Sequence, residues 1–246
     1  MESLLEIEDL RKSFGAIHAN DGITLSVEEG NVRGIIGPNG SGKSTFFNTV
    51  TGFHHPDGGT VRFDGTDITG KRPPEIARQG LARTFQIVSP FKNLTVRENL
   101  LAVKSKGLRV TDEKRRRADE ILEFLDLDHI ADNEASDMSG GQQKLLELAR
   151  LLMLDPKCVL LDEPTAGVNP ALQKRIVDRL KEMNERGTTF VIIEHDMDLI
   201  REFADEVTVF DHGQVIVEGS FDEVTADSRV RDAYLGSEDD LSEVLA

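Results

Sequence analysis

The chain of 246 residues carries 29 lysines and arginines against 45 aspartates and glutamates, a formal charge of −16, which excludes a nucleic-acid binder working through bulk positive charge. With 38% apolar residues and 21 glycines it is long enough to bury one large or two small cores, and intrinsic disorder is not expected. No stretch approaches the roughly 18 uncharged apolar residues of a membrane span, and MESLLEIEDL is acidic where a signal peptide needs a basic end, so the expectation is a protein made and kept in the cytoplasm.

In chain order, Leu5 and Ile7 alternate with Glu6 and Glu8, and Ile23, Leu25 and Val27 alternate with Thr24 and Ser26. That period of two predicts half-buried antiparallel strands. Val32 to Ile36 is more continuously apolar, as a central strand is, and runs into GPNGSGKS and then TFFNTV, a predicted helix. Residues 87–154 read as a helical insert. Thr95 and Glu98 stand at capping-box spacing, while Ala118, Ile121, Leu122 and Leu125, and again Leu145, Leu148, Ala149 and Leu152, repeat with helical period. DEKRRRADE is its solvated charged face. After Pro156 come CVLLD, a helix from Pro170 to Arg186 capped by Asn169 and closed by Gly187, then TFVII, VTVF and VIVEG. Strands separated by helices of this length predict an α/β fold with a mostly parallel sheet. Cys158 reads as a small buried strand residue. The acidic tail, residues 237–246, is expected to be loose.

Gly37 to Ser44 matches G-x-x-x-x-G-K-[ST] between a predicted strand and a predicted helix, the context of a phosphate-binding loop. Triphosphate oxygens need many donors without side-chain bulk, and Gly37, Gly40 and Gly42 free backbone N–H groups to curl around them at a helix N-terminus. Pro38, Asn39, Ser41 and Thr45 complete the expected cradle. Lys43 supplies a point charge to the β and γ phosphates and Ser44 a hydroxyl to magnesium. Asp162 ends the apolar run Val159-Leu160-Leu161, where a carboxylate can hold the magnesium shell, and Glu163 follows at once, placed to polarise an attacking water. The pattern so far allows an ATPase or a GTPase, but no N-K-x-D segment for reading guanine is present.

Further polar landmarks follow in order: Gln86 closes RTFQ, Ser139-Gly140-Gly141-Gln142 opens the helix of Leu145, and His195 comes directly after TFVIIE. They lie 43, 96 and 152 residues after Lys43, with Asp162 at 119. In this order and spacing they resemble the ATP-binding cassette (ABC) ATPases over essentially the whole chain. The resemblance implies ATP and Mg2+ as cofactors. It also implies a P-loop core with an antiparallel β subdomain over 1–86 and 155–236, and a helical subdomain with the signature motif over 87–154. By its own residues Ser139-Gly140-Gly141-Gln142 is a capping box whose glycines leave first-turn N–H groups open to an anion. The resemblance implies that this anion is the ATP of a second cassette, identical or different, in a head-to-tail sandwich. It makes His195, otherwise a strand-end histidine, the residue touching the γ-phosphate, Glu163 the catalytic base and Gln86 a sensor of magnesium and nucleotide. Phe14, 29 residues before Lys43, takes the place of an adenine-stacking aromatic, where by itself it could equally be core. Two departures stand out: Met138 opens the signature where leucine is usual, and Asn169 replaces an aspartate of the TAGVNP loop.

RTFQ, IARQGLA, PFKNLTVRENL, DEPTAGVNP, IEHDMDLI and VRDAYLG look like the branched-chain amino-acid importer branch of the family, with urea or amide importers as near relatives. That branch implies transmembrane permease partners, an extracytoplasmic binding protein acting indirectly, and a place on the cytoplasmic face of the membrane. A soluble ABC ATPase of DNA repair or translation is the alternative, and one uninterrupted cassette argues against it. The segment Ile87 to Asn99, with Val88, Phe91 and Leu94 among polar residues, is the expected permease contact, oriented by Lys92 and Glu98. Packing of Phe91 and Leu94 inside the insert is the other reading. Finally, 23 Asp and 22 Glu against 18 Arg and 11 Lys suggest a surface hydrated for strong salt, hence a halophilic source, or simply an acidic mesophile.

Overall fold

A computed structural model of the protein describes residues 3–84, 90–103 and 110–235. Alternating residues at the start of the chain build an antiparallel sheet in the order β2 (Ile17–Glu28), β1 (Ser3–Phe14), β4 (Gly58–Phe63) and β5 (Thr66–Asp67). Its register sets Leu5 opposite Val27 and Ile7 opposite Leu25, with Phe63 and Val61 facing the same pair from β4. Matched apolar rows of this kind fix a strand register, because a slip of one residue would turn them all to solvent.

A second sheet runs β10 (Gln214–Gly219), β9 (Glu206–Asp211), β3 (Val32–Ile36), β8 (Thr189–Ile193), β7 (Cys158–Asp162) and β6 (Leu81–Arg83). It is parallel from β9 to β6, and β10 lies antiparallel on the outer edge. β3, β7 and β8 are buried at every position, as strands covered on both faces must be. Their side chains alternate between two cores. Ile36, Val159, Leu161, Phe190 and Ile192 point to one, and Ile35, Cys158, Leu160, Val191 and Ile193 to the other. Cys158 is fully buried, and burial pushes its thiol up, so it is the inert core residue its neighbours predict.

The first core contains α6 (Pro170–Glu185) and α7 (Met197–Phe203), which connect β7 to β8 and β8 to β9, and extends without a break into α3 (Val96–Leu101), α4 (Asp112–Phe124) and α5 (Gly140–Leu152). The second core is capped by the antiparallel sheet and receives Phe46 and Phe47 from α1 (Lys43–Val50). The helix ends follow the expected caps. Thr95 accepts from the Glu98 N–H at 3.1 Å while the Glu98 carboxylate accepts from the Thr95 N–H at 2.8 Å, and Asn169 accepts from Leu172 at 3.0 Å with Pro170 next to it. Shorter helices, α2 (Pro73–Ala77), α8 (Phe221–Ala226) and α9 (Ser228–Leu235), and two 3-10 turns, Asp128–Ile130 and Ala135–Asp137, complete the described elements. Among the described residues no helix is long and apolar enough to cross a membrane. Gln86, Ile87, Val88 and the acidic tail lie outside the described residues.

Candidate active site

Three neighbouring strands, in the spatial order β3, β8, β7, end side by side at their carboxyl edge, where open α/β sheets bind ligands. The chain leaves β3 as the glycine loop, β7 as Asp162-Glu163 and β8 as Glu194-His195. Residues far apart in sequence therefore meet because parallel strands place all their C-termini on one side.

The loop has little tolerance for side chains. Gly37 and Gly42 hold φ of 146° and 103°, and a Cβ on either would lie 2.1 Å from a backbone carbonyl oxygen, of Phe210 and Ala19 respectively. Gly42 opens α1 without a side-chain cap, which leaves first-turn N–H groups for an anion. The Lys43 ammonium is buried in the curl and donates to the carbonyls of Gly37 at 2.6 Å and Pro38 at 2.9 Å, and lies 3.4 Å from Ser41 Oγ. Pro38 is buried, Asn39, Gly40 and Ser44 are exposed, and Thr45 is half-buried. A residue the sequence did not single out pins this arrangement: Asn20, fully buried in β2, donates its amide to the carbonyls of Ala19 at 2.8 Å and Gly42 at 3.1 Å.

Phe14 ends β1 and is 45% exposed, which rules out the core alternative for it. Its ring meets His54 edge-on at 5.2 Å and has the Lys12 ammonium 5.4 Å from its centre. Asp162 is buried and bonded to Arg83 Nη2 at 2.8 Å, and Arg83 in turn donates to Asn48 of α1 at 2.6 Å. Burial pulls the arginine down and the carboxylate beside it pushes it back. The arginine ties the phosphate-loop helix to the end of β7, a link that no motif reveals because its three members are spread through the chain.

Glu163 takes φ of 49°, a left-handed conformation unusual for a residue with a Cβ. Its carboxylate Oε1 stands 3.2 Å from His195 Nε2, and the imidazole is 46% exposed. The two residues named separately from the sequence as base and γ-phosphate contact are thus neighbours. Ser139 caps α5: its Oγ accepts from the Gln142 N–H at 3.3 Å, and the Gln142 side-chain oxygen accepts from the Ser139 N–H at 2.9 Å. A Cβ on Gly141 would displace the Leu172 side chain, whose Cδ2 lies 2.1 Å from that position, whereas Gly140 faces open space. Gln86, expected beside the metal, falls outside the described residues.

Ser44 and Asp162 line one groove of about 930 Å³ together with Asn48 and Arg83. A hydroxyl and a carboxylate are hard oxygen donors that suit Mg2+, which takes its remaining ligands from water and phosphate oxygens. Among the described residues no group of three or more His, Cys, Asp or Glu could hold a metal without such help.

Comparison with known proteins accounts for this assembly. Residues 20–166 match the family model described as ABC transporter, and residues 214–240 match a second, described as branched-chain amino acid ATP-binding cassette transporter. The probable branched-chain amino acid transport ATP-binding protein LivG of Archaeoglobus fulgidus is 43% identical, over 96% of each chain.

The chain belongs to the ABC transporter family.

Among solved structures, the cassette resembles the ADP conformation of MJ1267, an ATP-binding cassette of an ABC transporter, with a TM-score of 0.87 and 41% identity over 96% of this chain and all of that one. It also resembles the dimeric post-hydrolysis state of the cassette MJ0796 bound to ADP and Pi, with a TM-score of 0.78 and 30% identity over 88% of this chain and 98% of that one. As an ABC cassette the chain is an ATPase coupled to transport. Both departures from the family pattern are structurally quiet. Met138 is buried where leucine is usual, a volume-conserving exchange, and Asn169 still caps α6.

Proposed function

We propose that this cassette is the ATP-hydrolysing subunit of an importer for branched-chain amino acids, working from the cytoplasmic face of the membrane as a peripheral subunit of a permease. The observation that carries the hydrolytic part is the contact of Glu163 with His195 at adjoining strand ends beside the glycine loop. The cargo rests on the likeness to LivG and on the second family match. In this reading residues 37–45 cradle the phosphates, Phe14 stacks on adenine, and Ser44 and Asp162 would hold Mg2+, which would supply positive charge to the phosphate oxygens. Glu163 accepts a proton from the attacking water, and His195 contacts the γ-phosphate. Ser139, Gly140, Gly141 and Gln142 serve the ATP of a second cassette. The open space at Gly140 supports that role, because a helix start facing outward binds an anion delivered from elsewhere.

The groove between the nucleotide core and the helical segment suits the permease. Away from Ser44 and Asp162 it is walled by Pro73, Ala77, Ala102, Val103 and Leu151, apolar groups able to bury one side of a short helix. Phe91 is 49% exposed, so it is not packed inside the helical segment, and its ring lies 4.8 Å from the guanidinium of Arg150, which lines the groove together with the neighbouring Pro90. Glu98 has less freedom to orient a partner than expected, because its carboxylate caps α3. Phe91→Ala is expected to leave the ATPase of the isolated cassette within about twofold of wild type while weakening co-purification with the permease at least about tenfold, the loss expected of an aromatic anchor. Unchanged assembly and transport would remove Phe91 from the interface.

The carboxylate surplus supports a halophilic source. Arg97 is shared by Asp119 and Asp132, and Arg11 by Asp9 and Asp21, so single cations serve paired acids on the surface. Screening relieves the remaining repulsion. The unfolding temperature is therefore expected to rise from dilute buffer to molar KCl, and a maximum in dilute buffer would contradict this.

A further inference from the structure

Glu194, the residue between β8 and His195, is only 4% exposed, and neither phosphate binding nor water activation uses it. A carboxylate is costly to bury unless donors meet its oxygens. Here they do. Oε1 accepts from the Thr165 N–H at 3.0 Å and the Thr165 hydroxyl at 2.7 Å, and Oε2 accepts from the His195 N–H at 3.3 Å. Thr165 is itself buried and stands two residues beyond Glu163. One carboxylate thus grips both the loop after the base and the backbone of the histidine that faces it.

A second grip comes from α5. Lys144, one turn into the helix that Ser139 caps, donates to the carbonyl oxygens of Glu163 at 3.2 Å and Pro164 at 3.4 Å. Burial pulls this ammonium down, and the charges of Glu194, Glu147 and Glu163 pull it back up. Burial pushes the Glu194 carboxyl up, against the bonds from Thr165 and His195.

These contacts converge on the left-handed turn of Glu163. Its N–H donates to Ile193 at 2.9 Å, and its carbonyl accepts from Ala166 at 3.2 Å as well as from Lys144. A strained residue persists only where its surroundings over-determine it, and strain of this sort gathers at reacting centres. We propose that Glu194, with Lys144, is a positioning residue that locks the turn of Glu163 to the backbone of His195, holding the base carboxylate and the imidazole 3.2 Å apart during hydrolysis. The proposal rests on Glu163 being the base. Glu194 touches neither nucleotide nor water in this account; it acts through Thr165 and His195.

The test is steady-state ATP hydrolysis by the assembled transporter carrying Glu194→Ala, Glu194→Gln, Thr165→Val or Thr165→Ser, with ATP-binding stoichiometry measured on each. Glu194→Ala should lower kcat about ten- to a hundredfold, the usual cost of losing an orienting partner, with KM for ATP within about threefold and stoichiometry unchanged. Glu194→Gln keeps an oxygen for the two Thr165 donors and loses only the acceptor for His195, so it should recover part of the loss. It also decides the matter if the alanine variant does not fold. Thr165→Val should lower kcat and Thr165→Ser should restore it. The positioning role is overturned if both Glu194 variants keep kcat within about twofold of wild type, or if kcat and stoichiometry fall together by one factor, which reports lost folded protein alone. Glu163→Gln, assayed in parallel, separates the two ideas. Wild-type turnover there overturns the base and the proposal with it, whereas an inactive Glu163→Gln beside fully active Glu194 variants removes only the positioning role.

Discussion

Glu163→Gln is expected to lower ATP turnover by about a thousandfold while ATP affinity stays within about threefold of wild type, because the amide keeps the shape of the carboxylate and loses its capacity to take a proton. The geometry makes the separation clean. Glu163 projects from the end of β7 toward His195 at 3.2 Å, and its backbone is held by Ile193 and Lys144, none of which belongs to the glycine loop. In the proposed mechanism binding and chemistry therefore sit on different elements. Phosphate release under saturating ATP, with a fluorescence titration of nucleotide on the same sample, measures both. Turnover equal to wild type would show that another group activates the water.

Lys43→Ala should act on the other side of that division, weakening ATP binding at least about tenfold and reducing turnover by about a hundredfold or more. Lys43 is the buried cation of the loop, and its ammonium stands 2.6 Å from the carbonyl of Gly37 and 2.9 Å from that of Pro38. Removing it takes away a brace across the loop and, in the proposed mechanism, the charge that meets the phosphates. The glycine N–H groups remain, but they cannot replace a full positive charge. Lys43→Arg is not expected to rescue the loss, since a planar fork does not fit where a compact ammonium reaches three acceptors within one turn of chain. Equilibrium titration with ATP checks the expectation, and wild-type affinity would sink the phosphate-loop assignment.

Much of the fold was legible because its signals are local. Continuous apolar runs mark β3, β7 and β8, alternation marks β1 and β2, and cap residues mark α3 and α6, all within windows of a few residues. Other elements carry no such signal: β5, β6, α2 and α8 are too short for a period to show, β4 opens on two glycines, and α9 mixes charged residues through its one apolar stripe. The phosphate loop and the signature turn were visible as contiguous motifs whose chemistry needs glycine at fixed places. What the sequence hid are contacts between distant segments. Arg83 with Asp162, Asn20 with Gly42, and Glu194 with Thr165 each join residues that only strand order brings together. Glu194, directly after the apolar run TFVII, was the one hint available; Asn20 stands among His18, Ala19 and Asp21, so nothing local marks it as buried. Phe91 was ambiguous for another reason, since half-buried aromatics at an interface and in a core share one pattern until exposure is known.

In the proposed function, ATP hydrolysis at Glu163 drives uptake through a permease. Uptake of labelled leucine, isoleucine and valine by cells whose only copy of this cassette carries Glu163→Gln tests that claim most directly, with the amount of cassette in the membrane fraction measured alongside. Uptake at background, with the cassette retained on the membrane, is the expected result. Uptake equal to that of wild-type cells would contradict it.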